Sequence, residues 1–214
     1  MATEFIIIRH GESVANKRDL FAGTLDLGLT RIGRKQARIT AAWLKRRKID
    51  AVYTSPFPRA SATAMYIAKA KKLPMRVCDG IKEIDNGIYE GKKFSFAMFD
   101  DDPRMKGKLD DFAAWDFTGG ETVKGVAARF YAAMEEIAKQ NEGKTVAIVT
   151  HSTALAAFVS LVNADGDFDE MSHAGTIPNA SLVFCRYSAG KFHIDEYGFT
   201  DHLKGHVTNF KDQL

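Results

Sequence analysis

The stretch F-I-I-I-R-H-G-E-S, Phe5–Ser13, decides how this chain is read. Four apolar residues run without alternation into an arginine, a histidine and a glycine. A short continuous run rich in β-branched residues fits a strand buried on both faces, as in parallel sheets. In open α/β sheets ligands bind beyond the carboxyl ends of the strands. Arg9 and His10 therefore stand where such a sheet keeps its site.

The same transition recurs downstream. Thr145–Val149 runs through T-V-A-I-V-T-H-S into His151, and Ala51–Thr54 leads through S-P-F-P-R-A-S to Arg59, near a helix start. Thr30 offers the N-cap of a helix whose Gly33, Ala37, Thr40, Ala41 and Leu44 share one face, with Arg and Lys on the other. Ala60 to Ala70, Thr122 to Gln140 and Thr153–Val162 are predicted helices as well. The second of these carries Val123, Val126, Phe130, Met134 and Ile137 on one stripe. Met75–Cys78 is a further strand candidate, and Ser181–Tyr187 with Phe192–Tyr197 predicts a closing hairpin around Ala189-Gly190. Lys92 to Thr118 is dense in aromatics, is broken by Asp100-Asp101-Asp102-Pro103, and has no clear period. Strands alternating with helices predict an α/β fold: a three-layer α/β/α sandwich whose mostly parallel sheet, of about six strands, carries helices on both faces. Residues 1–214 are read as a single domain.

Composition excludes several classes. The chain has 214 residues, 45% hydrophobic and 27% charged, the balance of an ordinary globular protein able to bury a large core. A net charge of +3 is too mild to announce a nucleic-acid binder. The basic run K-R-R-K at 45–48 reads as the solvated end of a helix, favoured there by the helix dipole. Cys78 and Cys185 lie in apolar, strand-like runs and read as buried free thiols. No signal peptide is expected, because Phe5–Ile8 is too short for its apolar core. No window approaches the roughly 18 apolar residues of a membrane span. These features point to a cytoplasmic protein with no membrane partner.

If the sheet is parallel, Arg9, His10, Arg59 and His151 converge on one edge. Arginine presents planar, permanently charged donors that match phosphate oxygens. A neutral imidazole is a competent nucleophile near pH 7, and helix N-termini after the strands add backbone N–H groups. Such a pocket suits a phosphoryl group and needs no metal or other cofactor. A metallophosphatase would need several carboxylates clustered with histidines at the strand ends. His193, His202 and His206 lie outside that set and receive no role. The chain lacks G-x-x-x-x-G-K-[ST] and G-x-G-x-x-G, so nucleotide-driven chemistry has no phosphate cradle.

R-H-G-E-S at 9–13 resembles the signature of the histidine phosphatase superfamily, also called phosphoglycerate mutase-like. The resemblance continues through Asn16, F-A-G at 21–23, L-T-R-I-G-R-K-Q-A at 29–37, T-S-P-F-P-R-A at 54–60, I-K-E-I-D-N-G-I-Y-E-G at 81–91, G-G-E-T at 119–122 and V-T-H-S at 149–152. It implies that His10 is the nucleophile and becomes a phosphohistidine. Arg9, Arg59 and His151 would hold the phosphoryl oxygens, and Glu83 would protonate the leaving oxygen and then activate water. Asp85 and Glu90 are the competing carboxylates. Asn16, Gly23 and Ser152 would contact the phosphoryl group or the substrate, Ser152 standing where the family often has glycine. The insertion at about 92–118 would form a small cap that selects the substrate. Its aromatics read either as a partly apolar lid or as ordinary core. Asp100–Asp102 read either as a repeller of anionic substrates or as a solvated turn. Gly11 is expected to let the backbone turn and the phosphate approach, with a nearby carbonyl accepting from the His10 ring. Glu12 is expected to be structural, pairing with an arginine.

Within that resemblance the phosphatase branch is favoured. Mutases usually carry R-H-Y-G around the acid, where this chain has E-I-D-N-G, and tryptophan after the F-x-G turn, where it has Thr24. They also tend to be longer before the G-G-E helix. The expected activity is hydrolysis of a small phosphorylated metabolite. The alternatives are a cofactor-dependent phosphoglycerate mutase and a weakly catalytic phospholigand-binding protein.

Overall fold

Alternate side chains of Phe5–Ile8 enter two different cores, which is why this run has no polar face. Phe5 and Ile7 join one apolar cluster and Ile6 and Ile8 join the other. The computed structural model describes residues 1–25 and 27–208. Its strands are β1 (Thr3–Arg9), β2 (Ala51–Thr54), β3 (Met75–Val77), β4 (Thr145–Thr150), β5 (Leu182–Ser188) and β6 (Lys191–Phe199). They form one six-stranded sheet in the order β3-β2-β4-β1-β5-β6. The pairs β3–β2, β2–β4 and β4–β1 are parallel, whereas β5 and β6 form the expected antiparallel hairpin against β1.

Helices cover both faces, as the alternation predicts. On one face, α2 (Arg31–Leu44) and α3 (Pro58–Lys71) bury Ala41, Leu44, Ala60, Ala64 and Ile67 against Ile6, Ile8, Val52 and Val149. On the other, α4 (Val123–Gln140) and α5 (Ser152–Asn163) bury Phe130, Met134, Leu155 and Phe158 against Phe5, Ile7, Val146 and Ile148. The Phe130 and Phe158 rings stack at 5.0 Å. Each such side chain contributes about 1.5–3 kcal/mol by leaving water. Thr30 caps α2 as expected, accepting from the Gly33 amide at 3.0 Å. Residues 45–48 are the exposed end of that helix, and the Arg47 guanidinium covers the Trp43 ring at 3.9 Å.

The structure corrects the expectations in four places. β3 ends at Val77, is exposed throughout, and forms the sheet edge. Cys78 therefore lies outside the strand and is only half-buried, while Cys185 is buried; both thiols are free. A short helix, α1 (Val14–Arg18), follows β1 without having been expected. Its signal is a capping box in which Ser13 accepts from the Asn16 amide and the Asn16 side chain accepts from the Ser13 amide. The 92–118 stretch lacks a period because it is built of 3-10 turns, Phe96–Phe99 and Phe112–Ala114, joined by loops. Asp102 is neither a solvated turn residue nor a repeller of substrate. It is buried and accepts from the Tyr89 and Thr118 hydroxyls, each at 2.7 Å, and from the Arg104 amide at 2.9 Å. Among the described residues no helix is long and apolar enough to cross a membrane.

His202, which had no sequence role, is buried between α2 and the hairpin. It shares a hydrogen bond with the Thr40 hydroxyl at 3.0 Å and stacks on Phe199 at 5.7 Å. Burial pushes its pKa down to about 4. In the unfolded chain an imidazole titrates near 6.5, so between about pH 6.5 and 4 the unfolded state binds the extra proton. The stabilisation from neutral His202 is complete above that window and is lost as the pH falls through it. Between pH 7 and 5, His202→Gln is expected to lose less thermal stability than the unaltered chain. Equal losses in paired melting curves would refute this account.

Candidate active site

The register of the central strands builds the site. β1 and β4 pair with Arg9 opposite Thr150, and the His10 amide extends the ladder by donating to the Thr150 carbonyl at 2.9 Å. The histidines that end these strands are thereby neighbours, with ring centroids 5.1 Å apart. β2 flanks β4 with Thr54 opposite Val149, which brings Ser55 and the first turn of α3, with Arg59, to the same edge. Of the helices that follow these strands, α2 covers one face and α5 covers the other. The β1–β4 crevice is thus the point where open α/β sheets bind ligands.

The hydrogen bonds assign the tautomers. His10 Nδ1 lies 2.7 Å from the Gly11 carbonyl, which can only accept, so Nδ1 carries the proton and Nε2 the lone pair. Arg59 Nε donates to His151 Nδ1 at 3.1 Å, so His151 carries its proton on Nε2, which donates to Ser55 Oγ at 2.7 Å. Burial, reinforced by the two guanidinium groups, holds both imidazoles well below their ordinary pKa, and both are neutral near pH 7. Arg9 is fully enclosed. It donates through Nη1 to the Ile177 carbonyl and leaves Nε buried without a partner. Burial lowers its pKa to about 10, which leaves it cationic. Arg59 is held by the 22–25 segment, donating to the carbonyls of Ala22 (2.7 Å), Gly23 (2.8 Å) and Leu25 (3.1 Å).

Glu83 enters the same cavity from the loop after β3, whereas Asp85 and Glu90 do not line it. The Glu83 carboxylate crowns the N-terminus of α5. It accepts from the amides of Ala154 (2.7 Å), Ile84 (3.0 Å) and Thr153 (3.2 Å). Arg129 of α4 fixes its loop, donating to the carbonyls of Gly80 (2.9 Å), Lys82 (2.8 Å) and Glu83 (3.0 Å) while pairing with Glu121. Glu90 is instead a clamp on the amides of Gly23, Thr24 and Asn86. Asp85 accepts from the Gly87 amide at 2.9 Å.

The remaining sequence candidates divide. Asn16 lines the cavity, and its Oδ1 is anchored by Ser13 and by Asn179 Nδ2. Ser152 also lines the cavity. Gly23 does not: its N–H is given to Glu90 and its carbonyl to Arg59. A side chain at Gly23 would strike the Ile84 carbonyl at 1.9 Å, so glycine there packs the two loops. Gly11 also serves packing, because a Cβ would meet the Gly33 carbonyl of α2 at 2.5 Å. Glu12 pairs with the Thr30 hydroxyl in place of the expected arginine.

Sequence reasoning missed Ser55, the Arg129–Glu121 clamp, Asn179, and the 173–178 segment that closes one wall. Ser55 left a signal, since it stands at a strand end beside the other site residues, and Glu121 lies in the G-G-E-T stretch. The cavity measures about 400 Å³. Phe94, Phe112, Trp115 and Phe117 from the 92–118 stretch line it. Phe112 and Phe117 are at the same time core, as is Phe99, while Phe94 and Trp115 are partly exposed, so the stretch is both core and apolar wall. Asp100 and Asp101 are exposed and lie outside the lining. Among the described residues no three or more His, Cys, Asp or Glu side chains are grouped to hold a metal ion.

A parallel sheet whose switch point gathers neutral imidazoles and fixed cations defines an enzyme of phosphoryl transfer. The model of the histidine phosphatase superfamily (branch 1) matches residues 5–200. The chain is 33% identical to phosphoserine phosphatase 1 of Hydrogenobacter thermophilus over 76% of its own length and 77% of that protein's. It is 30% identical to a metal-independent phosphoserine phosphatase of Arabidopsis thaliana, over 94% and 83% of the two chains. It also superposes on the phosphoserine phosphatase of Entamoeba histolytica, solved with 3-phosphoglyceric acid. There the TM-score is 0.82 at 28% identity, over 94% and 99% of the two chains. This chain belongs to the histidine phosphatase superfamily.

Proposed function

We propose that this protein hydrolyses small phosphomonoesters in two displacements at His10. In the first, the Nε2 lone pair attacks phosphorus, the P–O ester bond breaks, and Glu83 protonates the departing alkoxide. The product is an alcohol and an Nε2-phosphohistidine whose positive charge is eased by the Nδ1–H bond to the Gly11 carbonyl. In the second, Glu83 takes a proton from water, the hydroxide oxygen bonds to phosphorus, and the P–N bond breaks. Inorganic phosphate leaves and the lone pair returns to Nε2. Arg9, with its unpartnered Nε, and Arg59 supply positive charge to the phosphoryl oxygens. The His151 Nε2–H, which donates to Ser55 Oγ, supplies a further donor to a bound phosphoryl group. Positioning and electrostatics of this kind carry most phosphoryl-transfer catalysis. Asn16 and the start of α5 at Ser152 complete the rim, and 92–118 acts as the cap.

The observation that carries this reading is the tautomer of His10. Its Nδ1 proton is spent on a carbonyl 2.7 Å away, which leaves a neutral, oriented nucleophile among cations. Hydrolase is favoured over mutase because Arg9 and Arg59, the Lys/Arg side chains of the lining, both stand at the histidines, and the rest of the lining is uncharged polar and apolar residues apart from Glu83. Two free cysteines are consistent with a cytoplasmic setting.

The test is an alkaline quench during turnover, followed by mass spectrometry of the active-site peptide. Phosphate is expected on His10. Chelators are expected to leave turnover unchanged, and 2,3-bisphosphoglycerate to produce no transfer to monophosphoglycerate. Absence of phosphohistidine, or loss of activity restored by a divalent metal, would end this proposal.

A further inference from the structure

We infer that the outer half of the cavity selects phosphomonoesters whose leaving group is uncharged and carries a flat apolar ring. The inference rests on the hydrolase reading above and adds its substrate class. Phe112, Trp115 and Phe117 line the cavity. Phe112 and Phe117 are almost wholly buried in the core behind it, so the partly exposed Trp115 presents most of this wall. Phe112 meets Trp115 edge-on at 5.3 Å, and Trp115 meets Phe117 edge-on at 6.1 Å. The wall extends to the exposed His173, which overlaps Phe112 at 4.3 Å.

This surface offers a substrate no charged partner. The guanidinium groups at Arg9 and Arg59 flank the two histidines at the phosphoryl end, and Glu83 is occupied by three backbone amides. The indole N–H of Trp115 is turned away and donates to the Lys108 carbonyl at 3.0 Å. Partial burial lowers the pKa of His173, so this imidazole adds no charge near pH 7. A carboxylate or an ammonium on the leaving group would therefore exchange water for apolar surface without a counter-charge, which is unfavourable. An uncharged ring would gain both burial and edge-to-face contact.

The wall is also held in shape before anything binds. Asp102 ties it to Tyr89 and Thr118, Arg104 pairs with Asp116 at 2.9 Å, and Leu20 bridges to Lys93. A preformed surface spends little of its binding energy on ordering itself. The Trp115 ring packs edge to face against both Phe112 and Phe117. A flat apolar guest extends edge-to-face packing of this kind, whereas a quaternary ammonium is held by several ring faces.

The experiment compares kcat/KM for 2-phenylethyl phosphate, ethyl phosphate, phosphoserine and phosphocholine. All four release primary alcohols, so the comparison reports recognition rather than an activated leaving group. The phenylethyl ester is expected to exceed each of the others by about tenfold or more, within the range one apolar contact surface gives. Trp115→Ala is expected to bring the phenylethyl-to-ethyl ratio toward unity, and Trp115→Leu, a gentler replacement in the wall, to lower it partway. Phosphate release without a phenylethyl preference, or with phosphoserine or phosphocholine preferred, overturns the substrate class and leaves the hydrolase reading standing. No release from any ester, with no phosphohistidine formed, overturns both.

Discussion

His10→Ala is expected to lower kcat on every phosphomonoester by roughly 10⁴-fold or more, the scale seen when an enzyme's nucleophile is removed. No neighbouring group can take over. His151 has Nδ1 engaged by Arg59 and its proton on Nε2, so it offers phosphorus no free lone pair. The fold should survive, because the interactions that place residue 10 are made by backbone. Its amide donates to the Thr150 carbonyl, and its own carbonyl accepts from the Ala180 amide and from Asn179 Nδ2. The lost ring opens a gap beside an existing cavity, which water can fill. Cooperative melting close to that of the unaltered chain, no phosphohistidine in the alkaline quench, and partial recovery by added imidazole are the expected set. Turnover at the unaltered rate would show that the lone pair on His10 is not the attacking group.

The sheet was legible because its central strands carry two buried faces. Phe5–Ile8 and Thr145–Val149 are continuous apolar runs for that reason, and their polar termini marked the site edge. Alternation of strands with helices makes the sheet parallel there, and that alone puts His10 and His151 on one edge. The edge strand was less legible: Met75–Val77 is exposed, so burial put no pattern into it, and Cys78 was read inside when the chain had already left the sheet. Loops were the hardest. Gly11 and Gly23 are required by backbones that pass close to them, and those backbones, at Gly33 and Ile84, lie remote in sequence. The Arg129 clamp on the Glu83 loop is made to carbonyls, which any residue supplies, so no motif could announce it. The 92–118 wall had an aromatic composition that could be noted. Which rings line the cavity and which only fill the core depends on 3-10 turns too short to show a period.

Glu83→Gln tests the proton's route, and its effect should depend on the ester. With an alkyl phosphate the departing alkoxide is strongly basic and needs a proton, so kcat is expected to fall by about 10²–10⁴-fold, the usual worth of general acid–base catalysis. With an aryl phosphate the leaving oxygen needs little help, and the first displacement should be nearly unaffected. The second still lacks a base for water, so phosphohistidine should accumulate in a burst followed by slow turnover. Geometry makes the substitution clean. The amide oxygen of glutamine can still accept from Ala154 and Ile84, and Arg129 still holds the carbonyl of residue 83. The acceptor lost is the one facing the Thr153 amide at 3.2 Å, a cost to the α5 terminus of about 1 kcal/mol. Asp85→Asn should leave the alkyl rate near normal. Glu90→Gln should act through stability, since its carboxylate pins three amides of neighbouring loops. If Glu83→Gln turned over the alkyl ester at full rate while either control abolished it, the proton would have to travel by the other carboxylate, and the loop after β3 would need a different reading.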